Sequence, residues 1–193
     1  MSSRDDVRLA TERRVLAAAD QLFRQRGFSA TTIRDIAEAS GVSTGTVMAA
    51  GDKNALLVRV FDGLVAAGQE RPAPAVGSGT GACANRILEL VRPFVSLFVG
   101  RQDLSRTYAS ILVSGHHSSA LFTDLSGLLV GEFRETIRQH GCTPEDRVGA
   151  TADALYFAYI GTLFSGSARE TVDDTEVTDS LRATFAAICT CEE

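Results

Sequence analysis

With 193 residues and 45% apolar side chains, the chain has material for one sizeable core or two small ones. Its start, "MSSRDDVRLATERR", is charged with no apolar run behind it, and no stretch approaches the roughly 20 apolar residues that span a bilayer, so the expectation is a cytoplasmic protein without a membrane partner. The net charge of −5 argues against a polyanion partner for the chain as a whole, but its sign is uneven: residues 1–60 hold nine Arg/Lys against seven Asp/Glu, and the remainder holds ten against seventeen. A mildly basic head on an acidic body suits a protein that touches nucleic acid with one end only.

The punctuation predicts helices throughout. Val15, Ala18, Ala19, Leu22 and Phe23 fall at helical spacing between Leu9 and Arg26, with Gly27 as a C-terminal cap. Arg4, Arg8, Arg13 and Arg14 ahead of them suggest a flexible arm or a solvated face. Thr32-x-x-Asp35 reads as a capping box opening a short helix to about Ser40, and Gly41 supplies a left-handed turn. Ser43 caps a second short helix to about Ala50, and Asp52 caps a longer one whose stripe is Leu56, Leu57, Val60, Phe61, Leu64 and Val65. "RPAPAVGSGTG", residues 71–81, is too rich in Pro and Gly to be helical.

The body beyond is again helical by pattern. Ile87 to Val99 is expected to kink or break at Pro93; Leu104 to Ser114 follows, then Leu121 to His140, closed by Gly141. Thr143-Pro144-Glu145-Asp146 is a helix start running into "ADALYFAYIGTLFSG", and a last helix covers Val177 to about Cys189. There is no long alternating strand pattern and no internal repeat.

The cysteines, Cys83, Cys142, Cys189 and Cys191, are scattered apart from the last pair and read as free thiols. Zinc wants four ligands at recognisable spacing, and His116, His117 and His140 lie far from these cysteines in sequence, so the expectation is no metal site and no cofactor. No glycine-rich phosphate loop after a strand and no nucleophile elbow points to an enzyme.

The spacing of Ala37, Gly41 and Val47 is the core of a helix-turn-helix. Two helices crossing steeply need a small residue at the closest point, which Ala37 supplies; Gly41 turns the chain, and Val47 with Ile33 and Ile36 buries the inner face. The outer face, Thr44 to Met48, is left to enter a major groove. An ordinary helical hairpin is the alternative reading of this pattern alone.

The run "AAADQLFRQRGFSATTIRDIAEASGVSTGT", followed by "GDKNALL", resembles the DNA-binding domain of the TetR family of bacterial transcriptional regulators. The resemblance implies an all-α homodimer: an N-terminal three-helix DNA-binding domain with a helix-turn-helix, residues 1–52, and a C-terminal helical ligand-binding and dimerisation domain, residues 53–193. It also breaks. Where the family carries an aromatic-rich end to the recognition helix, of the kind "TLYxYF", this chain has Thr46-Val47-Met48-Ala49-Ala50 and is one residue shorter before Gly51-Asp52-Lys53. Weaker DNA binding or an altered docking geometry is the expected consequence.

The DNA-binding candidates are Thr32, Arg34, Ser43, Thr44, Gly45, Thr46, Met48 and Lys53. Short hydroxyls reach phosphates or base edges, and Gly45 allows close approach to the groove. Lys53 in the first turn of a helix opposes the macrodipole, which a bound phosphate would reverse; pairing with Asp52 or Asp20 is the alternative. In the body the resemblance implies a pocket for a small apolar or amphipathic ligand, lined by Phe94, Phe98, Tyr108, Leu112, Phe122, Leu125, Leu129 and Tyr156. It assigns the dimer interface to the last two helices, through Ala158, Gly161, Phe164, Leu181, Phe185 and Ile188.

The reading that follows is a transcriptional repressor that binds a double-stranded operator as a homodimer and is released by a small molecule. The alternative is a helical small-molecule-binding protein whose operator binding is weakened or lost.

Overall fold

The computed structural model describes residues 3–69, 82–167, 169, 171–189 and 191, without the side chains of residues 3, 69, 120–122, 125 and 167. The expected loop at 71–81 lies outside the described residues. Among those described the chain is all helical: α1 (Ser3–Ala30), α2 (Ile33–Ser40), α3 (Thr44–Ala50), α4 (Lys53–Gln69), α5 (Cys83–Gly100), α6 (Gln102–Val113), α7 (Ala120–His140), α8 (Glu145–Ser167) and α9 (Asp174–Ile188). No described helix is long and apolar enough to cross a membrane.

The joints between the first four helices are set by local residues. α1 is interrupted at Gly27, whose φ of 78° is not helical. The Thr32 hydroxyl accepts from the Asp35 N–H while the Asp35 carboxylate accepts from the Thr32 N–H at 2.8 Å, a reciprocal capping box. The Thr32 hydroxyl also donates to the Asp35 carboxylate at 2.7 Å, and this bond first, with that from the Thr32 N–H, holds the Asp35 carboxyl below the usual range. Gly41 takes φ 66°, ψ 35°, so its N–H and that of Val42 turn back onto the last carbonyls of α2. The Ser43 hydroxyl caps α3 through the Thr46 N–H, and Asp52 caps α4 through the Ala55 N–H at 2.8 Å.

Arg4, Arg8, Arg13 and Arg14 are exposed on α1, which is helical from Ser3 onward, so the flexible arm is replaced by a continuous helical face. Pro93 does not break its helix either: α5 runs unbroken from Cys83 to Gly100. A proline inside a helix costs about 3 kcal/mol or more. Here Val91, Phe94 and Val95 around it are all buried, and each fully buried apolar side chain returns about 1.5–3 kcal/mol.

The chain divides into two compact units, Met1–Leu64 with Asp103–Ser119, and Val65–Gln102 with Ala120–Glu193. This differs from the sequence division at 52/53. The first turns of α4 give Leu56, Leu57 and Phe61 to the core of the first unit, with Val15, Ala19, Phe23, Ile36 and Val47, and Phe61 stacks on Tyr108 of α6 at 4.7 Å. In the second unit α5 packs on α7 and α9, and α8 on α7 and α9, around Ile87, Val91, Phe133, Ile137, Leu155 and Phe185.

Asp62 of α4 is the notable polar side chain of the first core. Its carboxylate accepts from the Ser119 hydroxyl at 2.7 Å and from the Tyr108 hydroxyl at 3.4 Å. Burial pushes the carboxyl above its ordinary range, and these hydrogen bonds and Arg59 pull it partly back.

Two outcomes follow. Gly41→Val should destabilise the first unit by about 1–2 kcal/mol, because a β-branched residue is strained at a left-handed φ; an unchanged thermal midpoint would remove the turn assignment. Asp62→Asn keeps an acceptor but cannot ionise. The folded protein holds the Asp62 proton more tightly than the unfolded chain, so wild type loses stability as pH rises through the raised value, and the variant should unfold at higher urea than wild type at pH 7. That gap should close below the ordinary carboxyl range, and a pH-independent gap would refute burial as its cause.

Candidate nucleic-acid interface

α3 presents one face inward and one outward. Val47 is completely buried, whereas Ser43, Thr44, Gly45, Thr46 and Met48 are exposed, Met48 with 52% of its surface open. The structure therefore brings five of the eight DNA-binding candidates onto one exposed helical surface. Their hydroxyls are preorganised: Ser43 Oγ lies 2.9 Å from Thr46 Oγ1 and accepts the Thr46 N–H at 3.1 Å. Thr32 and Arg34 are exposed at the start of α2, with Thr32 committed to its capping box.

Lys53 has neither of the carboxylate partners that the sequence offered as alternatives to phosphate. Its ammonium donates to the Phe28 and Thr31 carbonyls, each at 2.9 Å, and sits 4.2 Å from the centre of the Phe28 ring. Two of its three protons are spent inside the domain. Phe28 in turn lies against Phe23 at 5.4 Å. Lys53 is thus first a clamp that holds the start of α4 to the joint between α1 and α2. A partner 22 or 25 residues away in sequence leaves no local signal, so periodicity could not reveal it.

The same unit holds a second internal cation. Arg59 donates to the Ala50 carbonyl at 3.0 Å and pairs with Glu12, so a positive group closes the C-terminal end of α3. Arg24 pairs with Asp20 and Arg26 with Asp35. Beside α3 lies a cleft of about 300 Å³ lined by Arg8, Thr11, Glu12, Val15, Thr46, Ala49, Ala50 and Arg59. Small side chains at Ala49 and Ala50 leave that space open. Gly51 then ends α3 at φ 144°, where a Cβ would stand 2.8 Å from that of Ala55, so the shortened connection itself requires glycine.

A capped three-helix module with this turn and this outward face is the DNA-reading part of a known group. The family model for bacterial regulatory proteins of the tetR family matches residues 15–60. The matched segment is thus similar to the DNA-binding region of the TetR family. No curated protein matches the sequence.

Solved structures share the fold of this chain over nearly its whole length. FadR of Thermus thermophilus, a TetR-family transcriptional repressor solved in complex with lauroyl-CoA, is 22% identical with a TM-score of 0.69, covering 92% of each chain. TylP of Streptomyces fradiae is 22% identical with a TM-score of 0.55, covering 94% of this chain and 87% of that one. NalD of Pseudomonas aeruginosa, the secondary repressor of the MexAB-OprM multidrug efflux pump, is 21% identical at 0.50, covering 91% and 94%.

The residues expected to line a ligand pocket divide between the units. Tyr108 and Leu112 belong to the first, where Tyr108 is buried on Phe61; Phe94, Phe98, Leu129 and Tyr156 belong to the second, the first three buried. Burial raises the Tyr156 hydroxyl above its ordinary range. The side chains of Phe122 and Leu125 lie outside the described residues.

The dimer assignment needs a correction. Leu181 and Phe185 are completely buried, because α9 turns that edge onto its own α5 and α8. Ala158, Phe164 and Ile188 are partly exposed and Gly161 is exposed. Phe157, not chosen for this face from sequence, is 70% exposed on α8 and one helical turn before Gly161. A groove of about 420 Å³ runs beside Ala158, Gly161 and Ser165, edged by Glu176 and Ser180 of α9.

The four cysteines are free thiols, as the sequence implies, but three of them that are scattered along the chain converge in space. The sulfurs of Cys83, Cys142 and Cys191 lie within 4.8 Å of one another, and Cys191 Sγ is 3.9 Å from His140 Nδ1. A hydrogen bond with Cys189, together with burial, pushes the Cys83 thiol well above the ordinary thiol range, and burial raises that of Cys191.

Lys53→Ala should destabilise the first unit by about 1–3 kcal/mol, since two carbonyls lose their charged donor. Urea unfolding checks this, and an unchanged midpoint would show that the clamp carries no stability.

Proposed function

We propose that this chain is a TetR-family repressor that binds a pseudo-palindromic operator as a homodimer and leaves it when a small molecule enters the C-terminal body. The observation that carries the reading is the exposed hydroxyl and methionine face of Ser43 to Met48, on a helix locked between the Gly41 turn and the Gly51 stop. Short hydroxyls and helix N–H groups hold phosphates and base edges in a major groove. Arg34 adds charge on α2, and the third Lys53 proton remains for a phosphate at the start of α4.

The two-fold pairing is supported by the exposed strip on α8. Phe157, edge-on to Tyr156 and one turn before the exposed Gly161, gives a large ring next to a small residue, a relief that a second copy can fill, and a ring so exposed is costly in a lone chain. Symmetry then sets two α3 helices to read half-sites about 34–36 Å apart or a multiple of that.

Release is supported by α4. It starts at the Lys53 clamp in the first unit and continues without interruption into residues of the second. A ligand that binds one setting of this helix better than another shifts the separation of the readers, and equal binding to both would shift nothing. The apolar body rich in Phe, with the complex of FadR and lauroyl-CoA as precedent for that protein, favours an apolar or amphipathic ligand. A cytoplasmic location goes with a chromosomal target.

One observation favours the second reading, a ligand-binding helical protein with weakened operator affinity. Lys53, Arg59, Arg24 and Arg26 all have partners inside the chain, and the cleft beside Ala49 and Ala50 lacks a filling side chain. A mobility shift with DNA from upstream of the protein's own coding region, at several salt concentrations, separates the two. Sequence-specific retardation supports the repressor, and no binding in low salt, or binding to any sequence alike, supports the alternative. Ala49→Tyr fills the cleft and should tighten specific binding by about tenfold; unchanged affinity would show that the open cleft is no defect.

A further inference from the structure

The strongest chemistry outside the DNA-reading face is the thiol cluster of the second unit. Cys83 opens α5, His140 ends α7 with Cys142 two residues later, and Cys191 follows α9. Three elements far apart in sequence thus deliver their sulfur ligands to one point. We propose that Cys83, Cys142 and Cys191, completed by His140, form a zinc-class metal site that fastens the ends of α5, α7 and α9.

The donor set selects the ion. Three thiolates and one imidazole are a structural zinc combination, whereas magnesium and calcium take oxygen ligands, which the cluster does not offer. The distances place three sulfur ligands together, with one imidazole beside one of them. Bonds of about 2.3 Å to sulfur and 2.0–2.1 Å to nitrogen separate neighbouring ligand atoms by about 3.5–3.8 Å. The 3.9 Å from Cys191 Sγ to His140 Nδ1 is already close to such an edge, the three sulfurs lie within 4.8 Å of one another, and a rotation of the His140 ring toward the sulfurs would complete the site.

Burial fits as well. Cys83 is buried on the inner side, while Cys142, Cys191 and His140 are partly exposed and leave a path for the ion. Each thiol that binds gives its proton to solvent, so a divalent ion replaces three protons and affinity falls as the solution is acidified. Cys189, although next in line, is buried and stands outside the group of three sulfurs, so it is not assigned as a ligand. The proposal stands apart from the DNA-binding reading and its test uses no DNA.

The full chain, kept reduced, stripped with a chelator and held under nitrogen, is titrated with cobalt. The result expected is one cobalt per chain with the intense visible bands and sulfur-to-cobalt charge transfer of a tetrahedral thiolate site, displaced by one equivalent of zinc. C142S and C191S should weaken cobalt binding by about tenfold or more, and H140Q should do the same while C189S keeps the wild-type spectrum. Far-UV circular dichroism of each variant verifies folding, and C191S, beyond the last helix, leaves every helix intact in sequence. Only the weak bands of octahedral cobalt, a spectrum unaffected by C142S and C191S, a spectrum lost in C189S but kept in H140Q, or a disulfide in place of a bound ion would each overturn the site.

Discussion

The first unit depends on one ammonium group. The joint between α1 and α2 exposes carbonyls because Gly27 interrupts the helical pattern there, and Lys53 reaches back from the start of α4 to the carbonyls of Phe28 and Thr31. A charged donor on two carbonyls over an aromatic face is worth more than an exposed ion pair, since none of the three groups is fully solvated. It fixes where α4 begins relative to α2, and α3 lies in chain order between them, bounded by two glycines with positive φ. The inward face of Val47 and the outward face of Thr44 and Thr46 both follow from that frame.

The frame uses charge that a DNA-binding surface would otherwise present. Lys53 and Arg59 hold the ends of helices, and Arg24 and Arg26 pair with carboxylates. What remains for the nucleic acid is Arg34, the arginines along α1, and a set of hydroxyls and amides. Such a surface relies on fit more than on attraction. On the proposed reading its affinity should depend less on salt than that of a strongly basic reader, because fewer counterions would be released. The empty cleft beside Ala49 and Ala50 belongs to the same trade: the shortened α3 lacks bulk where the TetR-family pattern carries aromatics.

Much of this was legible in the residues because it is local. Thr32-x-x-Asp35, Gly41, Ser43 and Asp52 act within four residues of themselves, and each does in three dimensions what its spacing implies. Non-local facts were not legible. Pro93 continues its helix because buried neighbours outweigh its local cost, and Leu181 and Phe185 face the chain's own core, which an apolar stripe cannot distinguish from a face for a partner. The clamp of Lys53 and the convergence of Cys83, Cys142 and Cys191 with His140 join residues from separate helices, and no periodicity within one helix reports them. Phe157 is a further case: its exposure is a property of the packed α8, not of its neighbours in sequence.

The central claim is that the outward face of α3 reads DNA in each half of a symmetric pair. Hydroxyl-radical footprinting of the full-length protein on its own upstream DNA tests it most directly. The account predicts two protected patches related by a two-fold axis on one face of the duplex, about 34–36 Å apart or a multiple of that, both lost together when Thr44 and Thr46 are replaced by valine. A single unsymmetrical patch, or a footprint that survives those replacements, would contradict it.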